Sequence, residues 1–318
     1  MGSSVTAGTA TPWDGPVVDA HHHVWDPVAN RHPWLEPDAA IPFRYGDYSA
    51  LKRPYGPEEY RADARGHDVR ETVYVEAEWD PDDPIGETRY VSGLAERHGL
   101  PHAIVAQAWL DRDDVEQVLT GQSAFGLVRS VRHKPGGPAR PDEVGPSRRT
   151  LMSDERWRAG YALLESHGLH FDLQAPWWNL PEAAALARDF PETLVVLNHA
   201  GLPADRGADG LAAWRRAMGA FAEAPNVRVK ASGLGVAGEP WTVEANAPIV
   251  RDLVAMFGAE RVMVGSNFPV DGLVASYDTI MSGFKAILAR YGYEEQRAMF
   301  WDNARTVYRT ADARTGAA

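Results

Sequence analysis

The strongest constraint on the fold is a regular alternation of short β-rich runs with helical segments along most of the chain. We predict eight strands, at residues 17–20, 71–77, 102–110, 126–131, 169–173, 193–197, 227–230 and 261–264. Helical segments separate them, at residues 88–98, 115–119, 154–167, 181–189, 211–224, 248–257 and 278–291. Strands that alternate with helices pair in parallel through right-handed crossovers. Eight such units in 318 residues predict an α/β fold of the (β/α)₈ TIM-like barrel type.

A doubly wound sheet is the alternative fold, but no Gly-x-Gly-x-x-Gly follows the first strand, so its nucleotide-binding version loses support. Residues 25–60 are rich in proline and aromatic residues and are too long for a plain connection, so we predict a lid over the site. Residues 135–149 are predicted to form a mobile loop. Residues 1–12 are small and polar, and we predict a flexible N-terminal arm followed by a single domain over residues 13–318.

The formal net charge of −12 disfavours partners that are themselves negatively charged. No basic stripe compensates for it, so we expect no nucleic-acid partner. The absence of cysteine excludes disulfides, thiolate metal sites and cysteine nucleophiles. No window approaches 18 apolar residues and the N-terminal residues lack the apolar run of a signal peptide. We therefore expect a cytoplasmic protein with no membrane partner, acting on a small molecule.

Histidines follow the first predicted strand, and in a barrel the functional side chains collect at the C-terminal ends of the strands. The two-residue period of a strand places His21 and His23 on one side and His22 on the other. Two imidazoles on one side can share a metal ion or a substrate. We predict that this pair anchors the site, with a solvated histidine-rich turn as the alternative.

Charged residues follow or end three other strands. Glu76, predicted to share a face with Tyr74, can be a general base or a metal ligand, although a salt-bridged structural residue is an equal alternative. Arg132 and His133 form a cationic cluster that suits an anionic or oxygen-rich substrate. Lys230 is predicted to be a buried ion-pair partner.

Polar and aromatic residues follow the remaining strands. Gln174 follows the fifth strand, and the adjacent Trp177 and Trp178 can wall a substrate or pack under a loop. His199 follows the sixth strand, and its position relative to the first-strand pair favours a functional role over a structural one. Asn267 follows the eighth strand and would face the barrel mouth if that strand ends at residue 264 or 265.

These motifs together resemble those of the amidohydrolase superfamily, in the family's order and spacing from about residue 17 to residue 308. The segments that carry the resemblance are Asp19-Ala-His-His-His23, Val131-Arg-His133, Phe171-Asp-Leu-Gln174, Val196-Leu-Asn-His-Ala-Gly201, Val229-Lys-Ala-Ser-Gly233 and Gly265-Ser-Asn-Phe-Pro-Val270. The pattern is most similar to that of the amidohydrolase-related (amidohydrolase 2) lactonases. This subgroup includes sugar lactonases and 2-pyrone-4,6-dicarboxylate lactonase.

The resemblance implies a distorted barrel and, usually, hydrolysis. It maps the family's His-x-His onto His21 and His23, its strand-6 histidine onto His199 and its strand-8 acid onto Asn267. An amide does not accept protons near neutral pH, so Asn267 cannot be a general base, although it can orient a substrate or a water molecule. Gln174 stands where many metal-dependent members have histidine, which argues against a binuclear site.

Two cofactor hypotheses follow from the resemblance. One divalent ion, zinc or manganese, could be held by His21, His23 and His199, with Glu76 as a further ligand. Metal-free catalysis, which occurs in part of the lactonase subgroup, is the other hypothesis. The resemblance also implies a monomer or a homodimer.

We predict a hydrolase that opens a lactone or a related cyclic ester of a small carboxylated or hydroxylated substrate. Glu76 is the predicted substitute for the missing acid as general base, with Asp271 as the second choice. The predicted substrate-binding residues are Arg132, His133, Gln174, Trp177, Trp178 and Asp271. The alternatives are a metal-dependent decarboxylase of an aromatic acid and a barrel that binds a small molecule without turnover.

Overall fold

The computed structural model describes residues 11–314, so most of the predicted arm, residues 1–10, lies outside the described residues. The eight strands are β1 (Val17–His22), β2 (Val69–Val75), β3 (Ala103–Gln107), β4 (Val128–Arg132), β5 (His170–Leu173), β6 (Val195–Leu197), β7 (Val227–Ala231) and β8 (Val262–Val264). Each predicted strand coincides with one of these, and the ends differ by no more than three residues.

The strands form one parallel sheet in which they follow one another in chain order from β1 to β8. The two outer strands meet through backbone hydrogen bonds just past their ends. The amide of His23 donates to the carbonyl of Phe268 at 2.7 Å, and the amide of Asn267 donates to the carbonyl of His21 at 2.7 Å. The predicted (β/α)₈ barrel is therefore confirmed, and the C-terminal ends of all its strands meet at one mouth.

Ten α-helices surround or close the barrel within residues 11–314. They are α1 (Pro57–Ala64), α2 (Gly86–His98), α3 (Val115–Ser123), α4 (Glu155–Ser166), α5 (Leu180–Asp189), α6 (Ala208–Ala222), α7 (Val243–Phe257), α8 (Tyr277–Leu288), α9 (Tyr293–Arg297) and α10 (Asn303–Tyr308). None of these helices combines the length and the apolar character that crossing a membrane requires.

One helix was not predicted, and another begins well before its predicted start. The sequence predicted no helix in the segment 25–60, but α1 begins inside it at Pro57. Helix α7 begins five residues before the predicted start at Pro248, which lies inside the helix instead. The side chain of Thr242 caps α7 by accepting a hydrogen bond from the amide of Ala245 at 3.1 Å. This cap satisfies an amide that otherwise has no partner in the first turn.

Helix α4 is capped by Asp154, the residue directly before it. The side chain of Asp154 accepts a hydrogen bond from the amide of Trp157 at 2.9 Å, although Ser153 is also a residue type that caps helices. The hydroxyl of Ser153 donates to Glu182 instead. Both residue types can cap a helix, so their order along the chain does not decide which one does.

Apolar side chains, most of them small or branched, fill the barrel interior. Among them are Val18, Ala20, Val73, Val75, Ala103, Val105, Val196 and Met263. A cluster of four polar residues is enclosed with these apolar side chains. Asp172 accepts hydrogen bonds from Lys230 Nζ at 2.7 Å, from Asn198 Nδ2 at 2.9 Å and from the Tyr308 hydroxyl at 3.0 Å. These four fully buried residues form the central polar layer. The prediction that Lys230 is a buried ion-pair partner is confirmed.

A β-bulge in β1 sets the direction of the functional histidines. Ala20 packs in the barrel interior, so regular alternation would turn His21 outward. From Asp19 to His22, however, β1 advances three residues while the paired strand β2 advances two. The extra residue shifts the alternation, and His21 and His23 point into the barrel mouth.

Candidate active site

Three histidines lie together at the barrel mouth. The ring centroid of His21 lies 5.1 Å from that of His23 and 4.5 Å from that of His199. His22 points to the opposite side, where its ring centroid lies 4.5 Å from that of Tyr60. The structure thus brings together the three histidines that the sequence grouped, and their chemical roles stay predictions.

The backbone at the strand ends makes room for these rings. A Cβ atom on Gly265 would lie 2.7 Å from Cβ of His21, and one on Gly233 would lie 2.5 Å from Nδ1 of His199, so neither position accepts a side chain without a shift. His199 and Asn267 adopt left-handed backbone conformations with φ of 54° and 56°. Asparagine tolerates this region better than most residues.

Burial lowers the pKa of each of these histidines well below its ordinary value. For His23 and His199, nearby arginines add to this effect. For His21 the positive charge that its histidine neighbours and Lys230 would carry adds to it. A buried imidazolium surrounded by cations is unfavourable, so the three rings are neutral near neutral pH and each keeps a lone pair for a proton or a ligand.

The hydrogen bonds of His23 assign its tautomer. Its Nδ1 lies 2.7 Å from the carbonyl oxygen of Val75, which can only accept, so Nδ1 carries the proton. Nε2 therefore presents a lone pair, and Oδ1 of Asn267 lies 3.4 Å from it. The Asn267 amide is oriented by its Nδ2, which donates to Asp271 at 2.6 Å. Two acceptors thus face each other, and the group that complements both is a donor of two hydrogen bonds, such as water.

Asp271 lies behind Asn267, and hydrogen bonds reach only one of its two carboxylate oxygens. Its Oδ1 accepts hydrogen bonds from Asn267 and, at 2.8 Å, from the hydroxyl of Tyr45. Its Oδ2 is buried and has no hydrogen-bond partner among the described residues. Burial raises the pKa of Asp271 to about 6, although Arg44 and the two hydrogen bonds oppose the rise. Asp271 was predicted to bind substrate, but it does not line the cavity and can act only through its neighbours.

Glu76 is held in a buried ion pair with Arg132. Nε of Arg132 lies 2.5 Å from Oε1 of Glu76, and Oε2 accepts a hydrogen bond from the amide of Glu78 at 2.8 Å. Arg132 also donates to Oε1 of Gln174 at 2.9 Å. Burial by itself would raise the pKa of Glu76, but the charges of Arg132 and Lys134 outweigh it and lower the pKa. With both oxygens engaged, this carboxylate is a weak base.

A cavity of about 240 Å³ opens at the mouth. The strand ends contribute His23, Glu76, Arg132, Gln174, His199 and Asn267 to its lining. Trp34 and Phe43 of the segment 25–60 cover it, with their rings stacked at 5.9 Å. The segment thus lies over the cavity as predicted.

Sequence reasoning missed Arg44, which lines the cavity from the same segment. Its guanidinium donates to the hydroxyl of Tyr45 at 2.7 Å and to the carbonyl of Gly233. The segment has no periodicity to place an individual side chain. The available signal was an arginine among aromatic residues in a predicted lid.

Besides Asp271, three predicted substrate contacts lie away from this cavity. Nδ1 of His133 accepts hydrogen bonds from Nε1 of Trp157 at 2.9 Å and from the amide of Leu110 at 3.1 Å, so this ring faces the helices. The reason is strand alternation, because His133 directly follows the inward-facing Arg132. Trp177 and Trp178 do not line the cavity either, and Trp178 donates to the carbonyl of Pro138 at 2.8 Å.

Histidine nitrogens are suitable ligands for a divalent ion, but these three rings are not arranged so that they could hold one together. Both ring nitrogens of His21 are buried and have no hydrogen-bond partner among the described residues, and Nδ1 of His199 is anchored 3.0 Å from Oγ of Ser232. Within residues 11–314, however, no group of three or more His, Asp or Glu side chains is placed so that it could hold a metal ion. A zinc or manganese ion stays a prediction from the family resemblance.

Comparison with known proteins identifies related chains. Residues 18–310 match the family model described as Amidohydrolase. The uncharacterized protein y4mH of Sinorhizobium fredii is 39% identical over 298 residues, which are 92% of this chain and 98% of that protein. The L-fucono-1,5-lactonase of Burkholderia ambifaria is 28% identical over 268 residues, which are 82% of each chain.

Among solved structures, an amidohydrolase from Burkholderia multivorans, crystallised with bound zinc, is similar to this chain with a TM-score of 0.77. The match covers 93% of this chain and 99% of that one, at 24% identity. At this level of identity the comparison shows that the two proteins share a fold.

Proposed function

The chain belongs to the amidohydrolase family, and from this premise we propose that it is a hydrolase that opens a lactone or a related cyclic ester of a small carboxylated or hydroxylated substrate. One observation carries the proposal. Nε2 of His23 and Oδ1 of Asn267 are acceptors that face each other beside a cavity lined by arginines. A water molecule that donates to both would be held where a bound ester can be attacked. The similarity to L-fucono-1,5-lactonases supports a lactone as the ester.

We assign the base to His23. Its Nδ1 proton is fixed by the Val75 carbonyl, and its neutral ring leaves Nε2 free to take a proton from the water. Asn267 orients that water but takes no proton. The sequence made Glu76 the expected base, but both of its carboxylate oxygens are engaged, by Arg132 and by the amide of Glu78. This favours a positioning role, in which Glu76 holds Arg132 in the cavity wall.

Positive charge at the cavity suits the oxyanion that forms during ester hydrolysis. Arg44 lines the cavity, and we propose that it stabilises the carbonyl oxygen as negative charge develops there. His199, the other neutral imidazole in the lining, is proposed to bind the ring oxygen of the lactone. Trp34 and Phe43 exclude bulk water above the ring.

The proposed reaction balances without an added reagent. The oxygen of the water forms a bond to the carbonyl carbon, the bond from that carbon to the ring oxygen breaks, and the proton held by His23 passes to the leaving ring oxygen. The product is a hydroxy acid. Because its carboxyl group ionises at neutral pH, each turnover releases one proton.

Proton release provides the test. Purified protein is incubated with L-fucono-1,5-lactone and other sugar lactones in weak buffer with a pH indicator, beside the variant His23→Gln. We expect acid release by the wild-type chain and little by the variant. A protein that releases carbon dioxide from aromatic acids but no acid from any lactone would be the decarboxylase that the sequence left as an alternative. A protein that binds lactones without turnover would be a binding barrel.

A cytoplasmic location and a monomeric or homodimeric state are further proposals for this hydrolase. Size-exclusion chromatography with light scattering measures the oligomeric state directly. Fractionation of the source cells, followed by detection of the protein, measures its location.

A further inference from the structure

A second cavity of about 470 Å³ lies beside the active-site cavity. The two share Arg44 and Leu202 in their linings, so one molecule can extend from one cavity into the other. The active-site cavity alone, at about 240 Å³, is smaller than the roughly 300–1,000 Å³ of typical small-molecule sites. The second cavity therefore offers space for a part of the substrate that lies beyond the reacting ring.

Arg206 lines this second cavity with unused hydrogen-bond donors. Its Nη2 donates to the carbonyl of Leu234 at 2.7 Å and lies 3.4 Å from Oδ1 of Asn246. Its Nε and Nη1 are buried and have no hydrogen-bond partner in the described part of the chain. Burial, and then the charge of Arg44, lower the pKa of Arg206 to about 10, so the side chain is still protonated at neutral pH. A buried guanidinium with two unpartnered nitrogens needs an acceptor.

No acidic side chain of the described residues supplies that acceptor. The lining of the second cavity contains Arg44 and Arg206 but no Asp or Glu, and neither arginine has an ion-pair partner within residues 11–314. The rest of the lining is largely apolar and includes Pro176, Trp178 and Val236. In a chain with a net charge of −12, two adjacent arginines without a carboxylate partner form a local site for an anion.

We infer that the second cavity binds an anionic group of the substrate, a carboxylate or a phosphate, while the lactone ring occupies the active-site cavity. The inference rests on the proposed function and narrows it to lactones that carry a negatively charged substituent. Arg206 binds the anion, and Arg44, at the boundary between the cavities, contacts both the ring and its substituent. The apolar walls contact the carbon chain that joins them.

Matched pairs of lactones test this assignment. D-glucaro-1,4-lactone carries a carboxylate where D-glucono-1,4-lactone has a hydroxymethyl group, and 6-phosphoglucono-1,5-lactone and glucono-1,5-lactone form the corresponding phosphate pair. We expect Arg206→Gln to raise KM for the preferred anionic lactone by about 10- to 100-fold, as for a lost hydrogen bond to a charged group, with KM for its neutral partner nearly unchanged. The pair with the larger effect identifies the anion.

Two further variants control for folding and for total charge. Ala204→Glu places a carboxylate at the exposed rim of the second cavity and leaves Arg206 and its contacts in place, so we expect the same selective loss. Arg188→Gln removes one positive charge from an exposed position in the last turn of α5, and we expect it to leave both KM values unchanged.

Binding measurements separate this inference from the proposed hydrolysis. Calorimetric titration with inorganic phosphate and with glutarate, against sodium chloride of equal ionic strength, needs no turnover. If no lactone is hydrolysed but Arg206→Gln and Ala204→Glu both weaken anion binding, the anion site stands and the proposed reaction fails. If neutral and anionic lactones are hydrolysed alike and neither variant changes KM or anion binding, the anion site is overturned and the hydrolase stands.

Discussion

Two of the fully buried aspartates, Asp172 and Asp271, differ in how the surrounding residues compensate their charge. Asp172, in the central polar layer, accepts hydrogen bonds from Lys230, Asn198 and Tyr308, so a full positive charge and two neutral donors compensate it. Asp271, at the mouth, accepts from Asn267 and Tyr45 on one oxygen and leaves the other without a partner among the described residues. Both are fully buried, so exposure does not distinguish them.

The difference separates an aspartate that stabilises the fold from an aspartate that lies next to the proposed reacting groups. Asp172, whose charge is paired, links strands β5 and β7 and helix α10 through its bonds to Lys230 and Tyr308. A buried carboxylate without a paired charge keeps a raised pKa and stays close to a protonation change near neutral pH. We therefore expect substitutions in the central polar layer to affect folding and substitutions at the mouth to affect turnover.

The largest expected effect is on folding. Asp172→Asn leaves the Lys230 ammonium buried without a counter-charge, and we expect the free energy of unfolding to fall by about 3–5 kcal/mol. Urea titration measures this loss. The double variant Asp172→Asn, Lys230→Met should recover more than half of it, because no unpaired charge remains. A single variant as stable as the wild type would show that Lys230 finds another partner or loses its proton.

The second largest expected effect is on turnover, in a variant that still folds. We expect His23→Gln to lower kcat by roughly 10²- to 10⁴-fold, the contribution of a general base, without a comparable loss of stability. Glu76→Gln is the matched variant in the same cavity. It should raise KM more than it lowers kcat, because Arg132 and Gln174 lose their fixed positions. If Glu76→Gln instead removes turnover as completely as His23→Gln, the base is Glu76.

A smaller effect concerns how the contribution of Asp271 to stability depends on pH. The folded-state pKa of Asp271 lies at about 6, above the ordinary 3.8, so the folded chain binds this proton more tightly than the unfolded chain. The stability that this proton provides is present below pH 4 and is lost as the pH rises through 6. Asp271→Asn should therefore raise the free energy of unfolding by about 2–3 kcal/mol at pH 7.5 and by less than about 1 kcal/mol at pH 4.

The charged group that bears on Asp271 is Arg44, and the neutral groups are the hydroxyl of Tyr45 and the amide of Asn267. Urea titrations of wild type and Asp271→Asn at both pH values give the comparison, and Asp172→Asn should be destabilising at both. A variant Asp271→Asn that is destabilised at pH 7.5 would mean that the Asp271 charge is compensated by a group such as Arg44.

The smallest expected effect is that of metal removal. Because no three suitable ligands among residues 11–314 are placed to hold an ion, we expect kcat after dialysis against EDTA to stay within about twofold of its starting value. Elemental analysis of the same samples accompanies the assay. About one zinc or manganese per chain, with activity lost on removal and restored by the metal, would show that His21, His23 and His199 rearrange into the site that the sequence suggested.

The sequence predicted the barrel because strand and helix periodicity are local properties, and all eight strands were placed within three residues. It also placed His21, His199 and Asn267 at the mouth, because parallel strands all end on one side. The prediction for His133 was wrong because the residues that follow β4 were treated as one group. Strand alternation turns His133 away from the mouth, although the preceding Arg132 faces it. The prediction also failed for the start of α7, where a threonine cap begins the helix before Pro248.

By itself, the sequence determined that His21, His23, His199 and Asn267 stand at the strand ends, and that an amide occupies the position to which the resemblance assigns an acid. Only the tertiary structure decided the direction, the burial and the hydrogen-bond partners of these side chains. The bulge in β1 turns His21 and His23 inward, an effect that depends on pairing with β2. The acid that remains near Asn267 is Asp271, held by Tyr45 from the lid, a residue 226 positions away. Burial and charge compensation are sums over such distant neighbours, so no local pattern encodes them.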